Sequence, residues 1–262
     1  MSGLEGKCAL VTGATGGLGH AIAARLAAEG CHIVINGLLR PDETEAALDQ
    51  LRGGRPISAI YAPADLRQPV QIEAMMASAA AAFGAVDILV NNAVVRHFAP
   101  VEEFPVERWN EALAVNLSAA FHTIRLAMPA MRRRGWGRII NMASPYSFFA
   151  APNRIDYVTT KTALLGLTRA VALEAAGTDI TCNAICPGTL PTPAIEARIA
   201  GMAADKAISV DEATRLYLAD RQPGGRFIST ESVAALVAFL CGPNSREISG
   251  AALPVDSAWT VS

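Results

Sequence analysis

A tyrosine and a lysine, Tyr157 and Lys161, lie four residues apart in a segment with a helical pattern. At that spacing both side chains project from one face of a helix, which brings the ammonium group beside the phenol. A free phenol has a pKa of about 10 and is a poor base at neutral pH, but a nearby cation stabilises its anion. The pair could therefore accept the hydroxyl proton of an alcohol during hydride removal. The alternative interpretation is an ordinary surface pair on a helix.

A glycine-rich turn is the second candidate site. Residues 8–12 predict a strand that runs into the sequence GATGGLG, residues 13–19, and then into a helix. Glycines at such a turn let the backbone bend tightly and approach a pyrophosphate at the helix N-terminus. The turn is thus a candidate dinucleotide site, although an ordinary turn between a strand and a helix can also be rich in glycine.

Short β-branched segments alternate with longer alanine-rich segments, a rhythm typical of a parallel sheet with helices on both faces. We predict strands at residues 8–12, 32–36, 57–62, 86–91, 137–142, 179–185 and 251–255. We predict helices at residues 20–29, 43–52, 70–83, 116–134, 156–176 and 230–240. The predicted fold class is α/β, a three-layer Rossmann-like doubly wound sheet of seven mainly parallel strands in a single domain, residues 1–262. The segment at about 189–227 breaks the rhythm, and we expect it to be a substrate lid.

The overall composition excludes several classes of protein. The chain has 262 residues, 52% of them hydrophobic and 18% charged, which is enough to bury one large core. A net charge of −2, with no basic stretch longer than residues 132–134, excludes a dedicated nucleic-acid binder. Because no apolar run approaches about 18 residues and the start is unlike a signal peptide, we expect a cytoplasmic protein without a membrane partner. The five cysteines lack CxxC spacing, so we expect buried thiols and no metal site.

Further motifs follow the glycine-rich turn along the chain. The turn has TGxxxGxG spacing, and after it come NNA at residues 91–93, Asn116, Ser144, YxxxK at residues 157–161 and PGxxxT at residues 187–192. In this order and spacing the motifs resemble the short-chain dehydrogenases/reductases over essentially the whole chain. Within that family, the resemblance to bacterial D-3-hydroxybutyrate dehydrogenases is carried by residues 90–92, 104–105, 109, 137–141, 182–188 and 255–260.

The resemblance implies a catalytic set of Asn116, Ser144, Tyr157 and Lys161. In the family the serine hydroxyl holds the substrate oxygen, and the asparagine holds a water that connects the lysine to solvent. The lysine would tune the tyrosine and also hydrogen-bond the nicotinamide ribose. Taken alone, Ser144 could be a turn or capping residue, and Asn116 could cap a helix.

The resemblance also implies the cofactor NAD. The expected contacts are Gly13, Thr15, Gly17, Leu18, Gly19, Asp65, Leu66, Asn92, Ala93, Tyr157, Lys161, Pro187, Gly188 and Thr192. Among them Asp65 would contact the adenine, unless it only caps the following helix. Thr192 would contact the nicotinamide carboxamide, whereas the Pro-Gly pair before it could simply form a turn.

The choice between NAD and NADP depends on the end of the second predicted strand. Gly37 occupies the position where NAD enzymes often place an acidic residue for the ribose hydroxyls. Neither Thr15 nor Gly37 is basic, so the usual paired cations for a 2′-phosphate are missing too. Because hydroxybutyrate dehydrogenases also lack the acidic residue and yet use NAD, we predict NAD. Arg40 is the opposing signal, since it could reach a 2′-phosphate.

The substrate pocket departs from the family pattern. Hydroxybutyrate dehydrogenases hold the substrate carboxylate with a glutamine, a histidine, a lysine and a second glutamine, beside a tryptophan. The corresponding residues here are Arg96, Tyr146, Arg154 and Arg198; the family's tryptophan after Pro-Gly is replaced by Thr189, whereas Trp259 is kept. Up to three guanidiniums would grip oxyanions, so we predict a more highly charged or longer acid: a hydroxy dicarboxylate, phosphonate or sulfonate. Alternatively, one or more of these arginines, Arg198 above all, points to solvent.

The predicted partner is a small anionic hydroxy or keto acid. If the arginines face outward, the alternative is a reductase of a neutral ketone or of an acyl-carrier substrate. A non-catalytic dinucleotide sensor is a further alternative, against which the intact Ser144, Tyr157 and Lys161 argue. By analogy with the family we expect a homotetramer, assembled through the helices that begin near Asn116 and Asp156.

Overall fold

A computed structural model describes residues 3–39 and 41–262, so Arg40, the opposing signal for NADP, lies outside the described residues. The described part contains one sheet of seven strands, in the order β3-β2-β1-β4-β5-β6-β7. The strands are β1 (Cys8–Val11), β2 (His32–Ile35), β3 (Ala59–Tyr61), β4 (Ile88–Asn91), β5 (Trp136–Met142), β6 (Asp179–Pro187) and β7 (Ala252–Val255). Every neighbouring pair runs parallel, which confirms the predicted doubly wound α/β fold.

Helices cover both faces of the sheet. They are α1 (Gly17–Ala28), α2 (Pro41–Arg52), α3 (Pro69–Phe83), α4 (Val106–Leu113), α5 (Ala119–Arg134), α6 (Ile155–Glu174), α7 (Pro193–Lys206), α8 (Val210–Leu218) and α9 (Thr230–Cys241). One core layer packs α1, α2 and α9 against the sheet, and the other packs α3, α5 and α6. Strands such as β1 and β4 are buried along their whole length, which is why their sequences are continuously apolar rather than alternating.

The strand order reverses at β1, which lies between β2 and β4. The loops after β1 and β4 therefore leave the sheet in diverging directions and open a crevice at its carboxyl edge. Residues that follow β5 and β6 reach the same edge, because Asn91 is in register with Asn141, and Asn141 with Ala184. This edge is where the sequence motifs converge.

The predicted helix start at Asn116 is wrong. Helix α4, which the sequence analysis did not predict, continues through a π-helical turn at Ala114–Ser118 directly into α5. Asn116 therefore lies inside one continuous helical run and caps nothing. Its amide instead bonds the main chain of Val95, so the contact that holds this turn comes from a distant loop rather than from the local sequence.

The segment at 189–227 folds back onto the carboxyl edge as α7 and α8. The two helices pack on each other through the buried residues Ile199, Ala203 and Ala213. Gln222, fully buried, ties the end of the segment to its beginning, because its side-chain oxygen accepts a hydrogen bond from Thr189 N at 2.6 Å. Within residues 3–39 and 41–262, no helix is long and apolar enough to cross a membrane.

Candidate active site

One cleft at the carboxyl edge of the sheet brings together every predicted site residue except Asn116. The cleft has a volume of about 930 Å³. Its walls come from the glycine-rich turn after β1, the loops after β3, β4, β5 and β6, the start of α6, and the 189–227 segment. Residues from many separate stretches of the chain thus face one space.

The glycine-rich turn is held against the end of β4 by the NNA motif. Asn92 donates from its side-chain amide to the carbonyls of Thr12 and Gly13, at 3.0 and 3.1 Å. The hydroxyl of Thr12 accepts from the backbone N–H groups of Asn92 and Ala93. Gly13 has a φ of +61°, and a Cβ there would lie 2.9 Å from Ala93 Cα. The turn therefore requires glycine for both its conformation and its close packing.

The opposite side of the turn is open and fits a dinucleotide. A Cβ at Gly16 or Gly17 would meet nothing within 4 Å. Gly16 is the N-cap of α1, whose first turn carries no acidic residue, so the free N–H groups and the positive end of the helix dipole face the cleft. Backbone with these properties binds pyrophosphate. The turn, Asp65 and Leu66 after β3, and Pro187, Gly188 and Thr192 after β6 could together hold the cofactor.

Close packing around Gly37 explains why no acidic residue occupies that position. A Cβ at Gly37 would lie 2.8 Å from Thr15 Oγ1 and overlap Thr15 Cγ2, so any larger side chain would have to displace Thr15. The loop that follows is fixed by Tyr61, whose hydroxyl donates to Gly37 O at 2.7 Å and accepts from Leu39 N at 3.0 Å. Leu38 is left 85% exposed. The loop therefore presents an apolar side chain beside the adenosine end of the cleft.

Asp65 forms an ion pair with Arg67. The Arg67 guanidinium donates to both Asp65 carboxylate oxygens, at 2.7 to 3.0 Å, and lowers the pKa of that carboxyl. Arg67 also lies 3.6 Å from the Glu111 carboxylate. The positive charge of Arg67 is thus shared by two carboxylates, which weakens it as a partner for a 2′-phosphate.

Tyr157 and Lys161 lie on α6 and both face the cleft, as the helical spacing predicts. The Lys161 Nζ is 5.7 Å from the centre of the Tyr157 ring and donates to Met142 O at 2.5 Å. Burial, reinforced by the positive charge of Arg96, lowers the pKa of Lys161 from 10.5 to about 7. Tyr157 is itself buried apart from 7% of its surface. Little of the Tyr157 side chain is therefore accessible, and the Lys161 Nζ lies close to its ring.

Ser144 caps a turn, as one interpretation predicts, and it also lines the cleft. It follows the end of β5 as the N-cap of a short 3₁₀ turn, Pro145–Ser147, and its Oγ accepts a 3.2 Å hydrogen bond from Tyr146 N. It also lines the cleft together with Tyr157 and Lys161. Because its Oγ already accepts one bond, its own proton is free to be donated to a group in the cleft.

Asn116 is buried behind this group and does not line the cleft. Its side-chain oxygen accepts from Val95 N at 2.8 Å, and its amide donates to Val95 O at 3.0 Å and to Thr160 Oγ1 at 3.3 Å. It thus joins the loop after β4 to α6. Its predicted role in holding a water stays a prediction.

The loop after β4 carries Val94 where the family has a glycine. Val94 lines the cleft and does not have a positive φ. The backbone there does not require glycine, so the departure from the family motif leaves the turn intact.

Arginines and aromatic rings form the far wall of the cleft. The guanidinium of Arg96 lies 5.0 Å from the centre of the Tyr157 ring. That of Arg154 lies 4.6 Å from the Phe98 ring and 5.1 Å from the Tyr146 ring. Tyr146 in turn packs edge-on against Trp259, with ring centres 5.4 Å apart. Arg96, Arg154, Tyr146 and Trp259 therefore meet as predicted, and the wall connects directly to Tyr157.

Arg198 also lines the cleft, with its guanidinium 5.9 Å from the centre of the Tyr217 ring. Phe98, Tyr217 and Arg221 are among the lining residues that the sequence analysis did not predict. Phe98 is two residues beyond Arg96 in a loop without periodicity, and the other two belong to the segment at 189–227. A motif search offers no signal for them, because their place in the cleft depends on how α7 and α8 pack.

Comparisons with known proteins agree with this geometry. The family model described as short chain dehydrogenase matches residues 7–202. The chain is 43% identical to a D-beta-hydroxybutyrate dehydrogenase of Rhizobium meliloti, over 97% of this chain and 98% of that protein. It is 42% identical to the enzyme of that name from Cupriavidus necator, over 98% of each chain. Among solved structures, L-sorbose reductase from Gluconobacter frateurii, complexed with NADPH and L-sorbose, superposes with a TM-score of 0.92 at 29% identity, over 98% of each chain.

Proposed function

The chain belongs to the short-chain dehydrogenase family and is an oxidoreductase that acts on hydroxyl or keto groups, and from this premise we propose its substrate and coenzyme. The proposed substrate is a small hydroxy acid, or its keto form, that carries more negative charge than 3-hydroxybutyrate. The proposed coenzyme is NAD. The observation that carries the proposal is the pair Arg96 and Arg154, whose guanidiniums lie against the rings of Tyr157 and Tyr146.

The charge of this pair is not neutralised by the protein. Among the described residues no carboxylate lies within 4.0 Å of either guanidinium, although carboxylates pair with Arg67, Arg108 and Arg134. Unpaired cations in a partly desolvated wall raise the free energy of the empty site and favour an anion beside them. The relatives from Rhizobium meliloti and Cupriavidus necator are named for hydroxybutyrate. A second guanidinium at the acid end supports a substrate of higher charge.

The coenzyme, when bound, supplies a nicotinamide ring that accepts or donates a hydride. This chain's residues handle the proton. The Tyr157 hydroxyl, as phenolate, accepts the alcohol proton in oxidation and returns it in reduction. Lys161 in its ammonium form stabilises that phenolate, and the free proton of Ser144 orients the substrate oxygen. The arginine pair holds the acid group, which fixes the reacting carbon next to Tyr157.

NAD is favoured by the adenosine end of the cleft. Gly37 and Thr15 are uncharged, Leu38 is apolar, and Arg67 is paired with Asp65 and Glu111. A 2′-phosphate would find no unshared cation among these described residues. Because the solved structure of L-sorbose reductase is complexed with NADPH, kcat/KM has to be measured with both NAD and NADP.

A homotetramer is the proposed assembly. Its support is α6, where Gly166 and Ala170 are exposed and present no large side chain, and α5, where the ring of Phe121 is exposed. Small residues let two helices approach closely.

A substrate panel tests the proposed function. Secondary alcohols with neutral, monocarboxylate, dicarboxylate, sulfonate and phosphonate ends are compared by kcat/KM with NAD. We expect one of the more highly charged acids to exceed 3-hydroxybutyrate. Arg154→Gln should then lower kcat/KM for that acid by roughly ten- to a hundredfold, because a charge-assisted hydrogen bond is worth about 1.5–3 kcal/mol.

The matched control is Arg215→Gln, which removes an exposed arginine of α8 that does not line the cleft. It should leave the panel unchanged. A preference for 3-hydroxybutyrate over every more highly charged acid, unchanged by Arg96→Gln, would show that the enzyme is a plain hydroxybutyrate dehydrogenase. A preference for neutral ketones would instead favour the reductase alternative.

A further inference from the structure

A second pair of arginines lines the cleft on the 189–227 segment. The guanidiniums of Arg198, on α7, and Arg221, just after α8, both lie over the ring of Tyr217, at 5.9 and 4.6 Å from its centre. All three residues line the cleft. We call Arg198 and Arg221 the outer pair, and Arg96 and Arg154 the inner pair.

Within the outer pair, the backbone at Arg221 is fixed by the fold, whereas Arg198 is an exposed residue of α7. Arg221 donates from Nη1 to Tyr217 O at 2.8 Å. The next residue, Gln222, is fully buried and bonds both Thr189 N at 2.6 Å and Arg226 O at 2.5 Å. The backbone at Arg221 is thus tied to the segment that follows β6. The Arg221 side chain therefore starts from a fixed backbone position beside the cleft.

The charges of the outer pair are also not neutralised. In the part of the chain that the structure describes, no carboxylate lies within 4.0 Å of the Arg198 or Arg221 guanidinium, whereas Arg25 and Arg125 each pair with one carboxylate and Arg52 pairs with two. Two cations that share one ring repel each other, and an anion between them removes that repulsion. Guanidiniums bind carboxylates with two parallel hydrogen bonds, so each pair suits one acid group.

The two pairs use separate aromatic rings. The inner pair lies on Tyr157, Tyr146 and Phe98, and the outer pair lies on Tyr217. No ring carries a member of both pairs. Two sites in one cleft fit two acid groups that are separated along a molecule better than one compact head group.

We infer that Arg198 and Arg221 form a second anion site, and that the substrate is a hydroxy acid with an acidic group at each end, a hydroxy dicarboxylate. This inference rests on the proposed function, because that function places the reacting carbon beside Tyr157 and one acid group on the inner pair. Arg221 is then a residue that determines specificity. The cofactor diphosphate is another anion that could reach the outer pair, and the experiment separates the two.

The experiment uses unreactive acids, so it does not depend on turnover. Succinate, glutarate and adipate are each compared with the monocarboxylate of the same chain length as competitors in the complex of the full-length enzyme with NADH, by coenzyme fluorescence. We expect at least one dicarboxylate to bind about tenfold or more tightly than its monocarboxylate partner. In Arg221→Gln and in Arg198→Gln this ratio should fall by about tenfold, because each loses one charge-assisted contact. Arg221→Lys, which keeps a charge without the planar fork, should give an intermediate ratio.

Arg215→Gln again serves as control and should keep the wild-type ratio. The inference is overturned if no dicarboxylate binds more tightly than its partner, or if Arg221→Gln leaves the ratio as it is. It is also overturned if Arg221→Gln weakens NADH alone, which would assign the outer pair to the cofactor diphosphate. If the ratio depends on Arg221 but no hydroxy acid is oxidised with NAD, the proposed function fails and the anion site stands.

Discussion

Lys161 is the residue at which the requirements of stability and chemistry conflict. Its ammonium group is almost completely buried and has one protein acceptor, the Met142 carbonyl. Burial lowers the pKa of Lys161 to about 7, well below the value of about 10.5 in an unfolded chain. Between these two values the unfolded state binds the extra proton, so the free energy of unfolding rises with pH across this window. The buried Lys161 therefore lowers the stability of the fold near neutral pH.

Lys161→Met should therefore stabilise the protein and abolish turnover. Removing the desolvation cost outweighs the lost bond to Met142, and we expect a gain of roughly 1–2 kcal/mol at pH 7. The gain should shrink as the pH rises towards the lysine pKa of the unfolded chain. Urea unfolding at several pH values measures it. A variant that is destabilised at every pH would contradict this account of the lysine.

Tyr157→Phe should lose turnover and retain NAD binding. The substitution removes only the hydroxyl that accepts the proton, while the ring that supports Arg96 and the glycine-rich turn stay in place. Fluorescence titration with NADH and steady-state rates on the preferred substrate give the two readouts. Near-normal rates would end the assignment of Tyr157 as the base.

At the scale of elements, we expect the loop after β2 to govern the choice between NAD and NADP. It offers Gly37, packed on Thr15, and the exposed apolar Leu38. We expect NAD to be preferred over NADP by at least about tenfold in kcat/KM, or roughly 1.4 kcal/mol, since Gly37, Leu38 and Thr15 are uncharged and the charge of Arg67 is shared by two carboxylates. Steady-state kinetics with both coenzymes decides the question. A preference for NADP that disappears in Arg40→Ala would assign the decisive charge to Arg40.

The whole molecule should assemble through the face of α5 and α6. We expect light scattering to give roughly four times the chain mass of 27.4 kDa. Gly166→Arg, which places a long cation on the exposed face of α6, should reduce the assembly to smaller species. Gly201→Arg on α7 is the matched control, because a Cβ at either glycine meets nothing within 4 Å. A monomer in the wild type, or equal dissociation in both variants, would contradict the proposed interface.

The sequence by itself determined the fold and the position of the chemistry. Apolar runs of strand length recur with helical segments between them, and a strand buried on both faces, such as β1 or β4, admits few other residues. The edge strands β3 and β7 are only partly buried, and the alternation with helical segments predicted them. The glycine-rich turn and the Tyr157 and Lys161 pair were predictable from local spacing, whereas Ser144 was selected only by the resemblance to the family. They meet at one edge of the sheet because parallel strands deliver their carboxyl ends there.

The tertiary structure alone decided which charges act together. The resemblance indicates Arg198 as a substrate contact, but no sequence pattern selects Tyr217 or Arg221. The three side chains lie together because α7 packs on α8 and Gln222 bonds Thr189. Asn116 shows the same limit. Its hydrogen-bond partner, Val95, belongs to the loop after β4, and Asn116 lies in a π-helical turn where the sequence predicted the start of a helix. Local spacing specifies a helix face or a tight turn, whereas a contact between separate elements depends on packing that no local pattern encodes.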